Sequence, residues 1–79
     1  MRVQVKLFAT LRRFAENVTP GSSFEVELAE KATLKDLLDH LKIPAEEAKI
    51  TFVNGIIQEL DYEIKSGDEI GIFPPIGGG

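Results

Sequence analysis

Polar and apolar residues alternate one by one at the start of the chain, where Val3, Val5 and Leu7 are interleaved with Arg2, Gln4, Lys6 and Phe8. A period of two puts the aliphatic side chains on one face of an extended segment and predicts a first β-strand. From Thr10 the period lengthens: Leu11, Phe14, Ala15 and Val18 fall at helical spacing behind a Thr10 N-cap. A short helix is expected here, broken by Pro20-Gly21-Ser22-Ser23. Phe24, Val26 and Leu28 alternate with Glu25 and Glu27, which predicts a second strand with a solvated acidic edge. Thr33-Leu34-Lys35-Asp36 carries the cap-plus-acid signature of a helix start, and Leu34, Leu37, Leu38 and Leu41 form one apolar stripe. This main helix is expected to end at Pro44, which opens a brief helical turn through Ala45-Glu46-Glu47-Ala48. Ile50 to Val53 and Ile56 to Gln58 read as short antiparallel strands joined by an Asn54-Gly55 hairpin turn. Lys65-Ser66-Gly67-Asp68 makes a further turn into a last strand, Glu69 to Phe73.

Several short strands with one long helix to cover a sheet face suggest an α+β roll. Alternation then predicts surface chemistry. With Val3, Val5 and Leu7 facing inward, Phe8 points the other way, and Phe73 does the same relative to Ile70 and Ile72. Ile56 and Ile57 cannot both face the helix. Were the first and last strands neighbours, Phe8, Ile57 and Phe73 would share one exposed apolar patch, a usual mark of a partner interface. The alternative is that the short helix or local loops cover the two phenylalanines.

Composition narrows the classes. A chain of 79 residues has room for one domain with one small core. Its 43% apolar and 28% charged residues describe a soluble globule. The apolar runs are too short to span a membrane and Met-Arg-Val-Gln-Val-Lys lacks the apolar region of a signal peptide, so a cytoplasmic location is expected. Thirteen acids against nine bases, net charge −4, argue against nucleic-acid binding and for partners with basic surfaces. The absence of cysteine excludes disulfides, zinc ribbons, iron–sulfur ligation and thiol nucleophiles. Any sulfur handled by this protein must sit elsewhere.

Other polar residues read as structural. His40, the single histidine, falls at the end of the main helix, where it caps carbonyls or meets solvent; a metal would need further ligands. Glu46-Glu47 and Asp68-Glu69 read as turn or solvated-face acids, and Tyr62 as either a core or a surface aromatic.

The end of the chain carries the chemistry. In Phe73-Pro74-Pro75-Ile76-Gly77-Gly78-Gly79 two prolines preset an extended path, and three glycines bring no Cβ into a narrow channel. Extended at about 3.3–3.6 Å per residue, the part from Pro74 onward would reach roughly 20 Å, enough to enter another protein's active site. On composition alone, terminal glycines also read as a frayed end.

Val5-Lys6-Leu7-Phe8-Ala9-Thr10-Leu11-Arg12, Val53-Asn54-Gly55, Ser66-Gly67-Asp68-Glu69-Ile70 and above all Phe73-Pro74-Pro75-Ile76 with terminal Gly78-Gly79 resemble the small subunits of molybdopterin synthase, within the MoaD/ThiS-type ubiquitin-like sulfur carriers. The resemblance covers the whole chain. The thiamin-pathway carriers are also similar but are generally shorter and lack the Leu-Phe-Ala-x-Leu-Arg opening. The fold implied is an α+β, ubiquitin-like β-grasp: a mixed sheet packed on one main helix, its first and last strands side by side at the centre. Residues 1–79 would form a single sulfur-carrier domain, with 73–79 its extended, flexible glycine tail.

The function implied is that of a carrier. An ATP-dependent adenylyltransferase of the ubiquitin-activating type would adenylate the Gly79 carboxylate, and sulfur from a persulfide donor protein would displace AMP to leave a thiocarboxylate. Pro74, Pro75, Ile76, Gly77 and Gly78 would carry that group into the large synthase subunit, where it donates sulfur to a cyclic pterin phosphate; the assembly implied is a heterotetramer. Phe8, Arg12, Ile57 and Phe73 match partner-binding positions of the family, although an exposed arginine such as Arg12 is as often a solvated stem. Gly77 departs from the family's usual small residue such as Ser or Thr, which should loosen the tail slightly. The chain itself would bind no cofactor and no metal and would not be an enzyme on its own, ATP being used by the activating enzyme. Three readings stand beside this one. The same activation serves sulfur delivery to thiamin or cysteine synthesis and a ubiquitin-like modifier conjugated through Gly79; a plain interaction module would owe nothing to its tail.

Overall fold

A computed structural model describes residues 1–15, 18–19 and 21–75. Five strands form one sheet: β1 (Arg2–Leu7), β2 (Phe24–Glu27), β3 (Ile50–Val53), β4 (Ile56–Ile57) and β5 (Glu69–Phe73), in the spatial order β2-β1-β5-β3-β4. β1 and β5 are the parallel central pair, with Val5 opposite Ile70 and Leu7 opposite Ile72, and the other pairings are antiparallel. This is the mixed β-grasp sheet, covered on one face by helix α1 (Leu34–Leu41). Val3, Val5 and Leu7 of β1, Val26, Val53, Ile70 and Ile72 close a buried core against Leu34, Leu37 and Leu38 of α1. The period-two and helical stripes of the sequence thus meet across one layer boundary. Among the described residues no helix is long and apolar enough to cross a membrane.

Helix α1 begins with a capping box: the Asp36 N–H donates to Thr33 Oγ1 at 3.2 Å and the Thr33 N–H donates to Asp36 Oδ2 at 2.9 Å. Its next free donors are met from outside, since the Leu34 and Lys35 N–H groups donate to the carbonyls of Tyr62 and Leu60 at 3.1 and 3.0 Å. The loop before β5 is thereby tied to the helix start. Thr33→Ala should lower stability by about 1 kcal/mol in urea unfolding, with the native fold retained. An unchanged midpoint would mean that solvent replaces the cap at no cost.

Five local expectations need correction. The first short helix is a 3-10 segment over Ala9–Phe14, capped by Phe8 with no side-chain bond, so Thr10 lies inside it. Its carbonyls are satisfied three residues on, by Arg12 Nε on the Ala9 oxygen at 3.2 Å and Arg13 Nη1 on that of Thr10 at 2.9 Å, while Leu11 is its one buried side chain. That spacing suits the tighter i to i+3 turn. Helix α1 stops before Pro44: Lys42 takes the left-handed conformation at φ 63° and its N–H reaches the Leu38 and Asp39 carbonyls. The brief turn after Pro44 spans Ala45–Glu47. Strand β4 ends at Ile57, although Gln58 still exchanges bonds with Thr51, its N–H on the Thr51 carbonyl at 2.9 Å and its carbonyl under Thr51 Oγ1 at 2.7 Å.

The fifth concerns Asp68, which is only 7% exposed and therefore not a solvated acid. Its carboxylate accepts from the Lys65 N–H at 2.8 Å, Asn54 Nδ2 at 3.0 Å and, more loosely, the Tyr62 hydroxyl at 3.4 Å. The Glu69 N–H in turn donates to Asn54 Oδ1 at 2.9 Å. The hairpin turn, where Asn54 and Gly55 have φ of 52° and 85° as a primed turn requires, is fastened by this cluster to the start of β5. Asp68→Ala would remove the shared acceptor of three partly buried hydrogen bonds and should cost about 1–3 kcal/mol in denaturant unfolding. A loss below about 0.5 kcal/mol would count against the cluster as a structural clamp.

Candidate partner-docking site

With Val3, Val5, Leu7, Ile70 and Ile72 turned to the helix, the alternate residues of the same strands are set on the opposite face of the sheet. There the rings of Phe8 and Phe73 stack with centroids 4.0 Å apart and planes 7° from parallel. Phe52 of β3 meets Phe73 edge-on at 5.5 Å. The central strand pair brings the ends of β1 and β5 together, and the Phe8 N–H donates to the Ile72 carbonyl at 3.1 Å. Phe8, Phe52 and Phe73 are each half-buried, shielded largely by one another.

The three rings border a hollow of about 560 Å³, whose floor is Gly71 and whose rim carries Gln4, Lys6 and Glu69. Lys6 Nζ lies 5.2 Å from the Phe8 centroid, within range of a cation–π contact. Such a face is suited to receive apolar side chains, with one amine and one carboxylate at its edge to fix their orientation. Among the described residues no group of three or more His, Cys, Asp or Glu side chains could hold a metal ion.

Ile57 stands opposite Phe52 in the β3–β4 register and is 62% exposed, which extends the apolar face to the sheet edge. Ile56, opposite the inward-facing Val53, is 63% exposed as well, so neither isoleucine is covered by the helix. Arg12 is not part of the ring cluster. It is exposed on the 3-10 segment and lines a smaller hollow of about 160 Å³ with Leu7, Ala15, Val18 and Phe24. His40 is exposed in the last turn of α1, and Tyr62 is half-buried against the core.

Two contributors escaped the reading of the sequence. Phe52 was legible in principle, because Thr51 and Val53 are buried and strand alternation turns Phe52 outward. Gly71 gave no such signal, since its part depends on a ring from another strand. Pro74 is half-buried and Pro75 exposed where the chain leaves β5 beside the ring cluster. Ile76, Gly77, Gly78 and Gly79 lie outside the described residues.

Residues 5–79 match the model of the ThiS family. The chain is similar to the putative molybdopterin converting factor subunit 1 of Pyrococcus furiosus, with 30% identity over 96% of this chain and 99% of that one and a TM-score of 0.71. It is similar to SAMP1 of Haloferax volcanii, a small archaeal modifier protein, with 29% identity over the full length of both and a TM-score of 0.72. The Helicobacter pylori protein–protein complex of subunits 1 and 2 of molybdopterin-converting factor shares the fold, at 21% identity over the full length of both chains and a TM-score of 0.60. No curated protein sequence matches the chain.

Proposed function

The chain belongs to the ThiS family, and from that premise we propose that it is a sulfur carrier whose C-terminal glycine, Gly79, is loaded with sulfur for molybdenum or tungsten cofactor synthesis. The observation that supports this most is the position of the Phe8, Phe52 and Phe73 cluster at the root of a Pro-Pro-Ile-Gly-Gly-Gly segment. An apolar anchor beside a slender extended tail is what a protein needs to dock on a partner and thread its terminus into that partner's active site.

A carboxylate is a poor acyl donor because its leaving group is oxide. In the proposed cycle an ATP-dependent adenylyltransferase joins the Gly79 carboxylate to the α-phosphate of ATP and releases pyrophosphate. The terminal sulfur of a protein persulfide then displaces AMP to give an acyl disulfide, and a thiol of the donor protein attacks the inner sulfur, releasing the thiocarboxylate and leaving a disulfide on the donor. Glycine keeps the carbonyl unhindered, and holding it in a closed site makes the attack effectively unimolecular. Acid–base groups and oxyanion donors come from the partners. The carrier then docks on a large synthase subunit, in a heterotetramer, and gives its sulfur to a cyclic pterin phosphate. The likeness to subunit 1 of a molybdopterin converting factor favours this destination.

The likeness to a small archaeal modifier protein favours a second reading, in which the activated Gly79 is joined to lysines of other proteins. Both share the acyl-adenylate and differ in the nucleophile. Intact mass spectrometry after incubation with ATP, a cognate adenylating enzyme and a sulfur donor separates them. Sulfur in place of one oxygen at Gly79 is the expected result; lysine-linked conjugates would favour the modifier, and an unmodified chain beside an activated control carrier would refute both.

A further inference from the structure

Gly71 occupies a central strand, where glycine is destabilising relative to alanine unless something needs the space. Its backbone gives no reason for it: among the described residues the left-handed glycines are Gly21, Gly55 and Gly67, and Gly71 is not one of them. The reason is a ring. A Cβ built on Gly71 would stand 3.3 Å from Phe8 Cε2, the one atom within 4 Å of it among the described residues apart from its two chain neighbours, so the missing methyl leaves room for the Phe8 ring. Neighbours hold the position from both sides, with Lys6 and Phe52 paired to Gly71 in the sheet register. On the same face, two residues on, Phe73 stacks on that Phe8 ring at 4.0 Å, and Pro74 follows directly.

We propose that Gly71 is a positioning residue for the C-terminal tail: by leaving room for Phe8 it sets the seat of Phe73, and through Phe73 the direction in which Pro74 and Pro75 leave the sheet. The proposal rests on the carrier reading for its functional consequence. An alanine at 71 lifts the Phe8 ring by a few tenths of an ångström. The ring is confined by its stack on Phe73, so the displacement passes to the root of the tail. The Phe8–Phe73 stack is also the centre of the apolar docking face, so the same displacement alters the surface that a partner has to match.

The test is a double-mutant cycle of Gly71→Ala and Phe8→Leu in the full chain, read in two ways. By NMR, Gly71→Ala should shift the Phe73 ring and Pro74 resonances in the wild-type background and leave them in place when Phe8 is leucine. In sulfur loading by the adenylating enzyme, it should lower kcat/KM several-fold, and cause no further loss beside Phe8→Leu. Equal effects in both backgrounds would overturn the proposal. A wild-type chain that is never loaded would overturn the carrier reading and the role in transfer, while the resonances would still show whether Gly71 governs the ring and the tail root.

Discussion

Deleting Gly79, or adding one residue after it, is expected to abolish thiocarboxylate formation while leaving the fold and partner docking intact. The two changes misplace the carboxylate in opposite directions. Extension converts the Gly79 carboxylate into a peptide carbonyl and carries the free carboxylate about 3.3–3.6 Å further on, to a residue with a side chain unless it too is glycine. Deletion leaves a glycine carboxylate, on Gly78, with the same chemistry but drawn back by about 3.3–3.6 Å. Reacting atoms must stand about 3–3.5 Å apart for attack, so the shortened tail falls a full contact distance short. Intact mass analysis of each variant beside the wild-type chain reads the outcome directly. Loading of the Gly79-deleted chain at the wild-type rate would show that tail length does not place the carboxylate, and would count against threading.

The second large effect is expected at Phe73. Phe73→Asp should weaken binding of an adenylating enzyme or a large synthase subunit by roughly 100-fold or more, equivalent to about 3 kcal/mol, in a calorimetric titration. Phe73 touches both Phe8 and Phe52, so its loss opens the centre of the apolar cluster. The introduced carboxylate would also have to be desolvated against an apolar partner surface. The fold should survive, because Phe73 is only half-buried and ends β5, outside the core between sheet and helix. Loss of the stacked pair should cost the free chain about 1 kcal/mol, with an unchanged circular dichroism spectrum. Wild-type affinity in the variant would remove Phe73 from the interface.

The comparison of residues with architecture explains where the reading of the sequence succeeded. Strand β1, the capping box at Thr33, the Asn54-Gly55 turn and β5 were legible because each has a local signature, side-chain alternation for the strands and cap or turn residues for the others. Boundaries were less so. The 3-10 segment starts at Ala9 and not behind Thr10, since the Leu11 N–H finds the Phe8 carbonyl three residues back. Lys42 ends α1 because its left-handed turn carries Ile43 into the core, where the Ile43 N–H meets the Leu38 carbonyl at 2.9 Å. Asp68 was misjudged for a related reason: beside donors from its own loop, Tyr62 and Lys65, it meets Asn54 from the hairpin turn, and no local pattern shows that meeting.

By itself the sequence determined the inward and outward faces of each strand, the apolar stripe of the helix, the turns and the chemistry available at a glycine end. These follow from side-chain period, capping and backbone freedom, which act over short separations. Only the tertiary structure decided that Phe8 lies on Gly71 and Phe73, that Phe52 joins them, and that Arg12 does not. Strand order governs such meetings. Setting β1 beside β5 brings together residues more than sixty positions apart, and a packing distance between them is a property of the closed sheet.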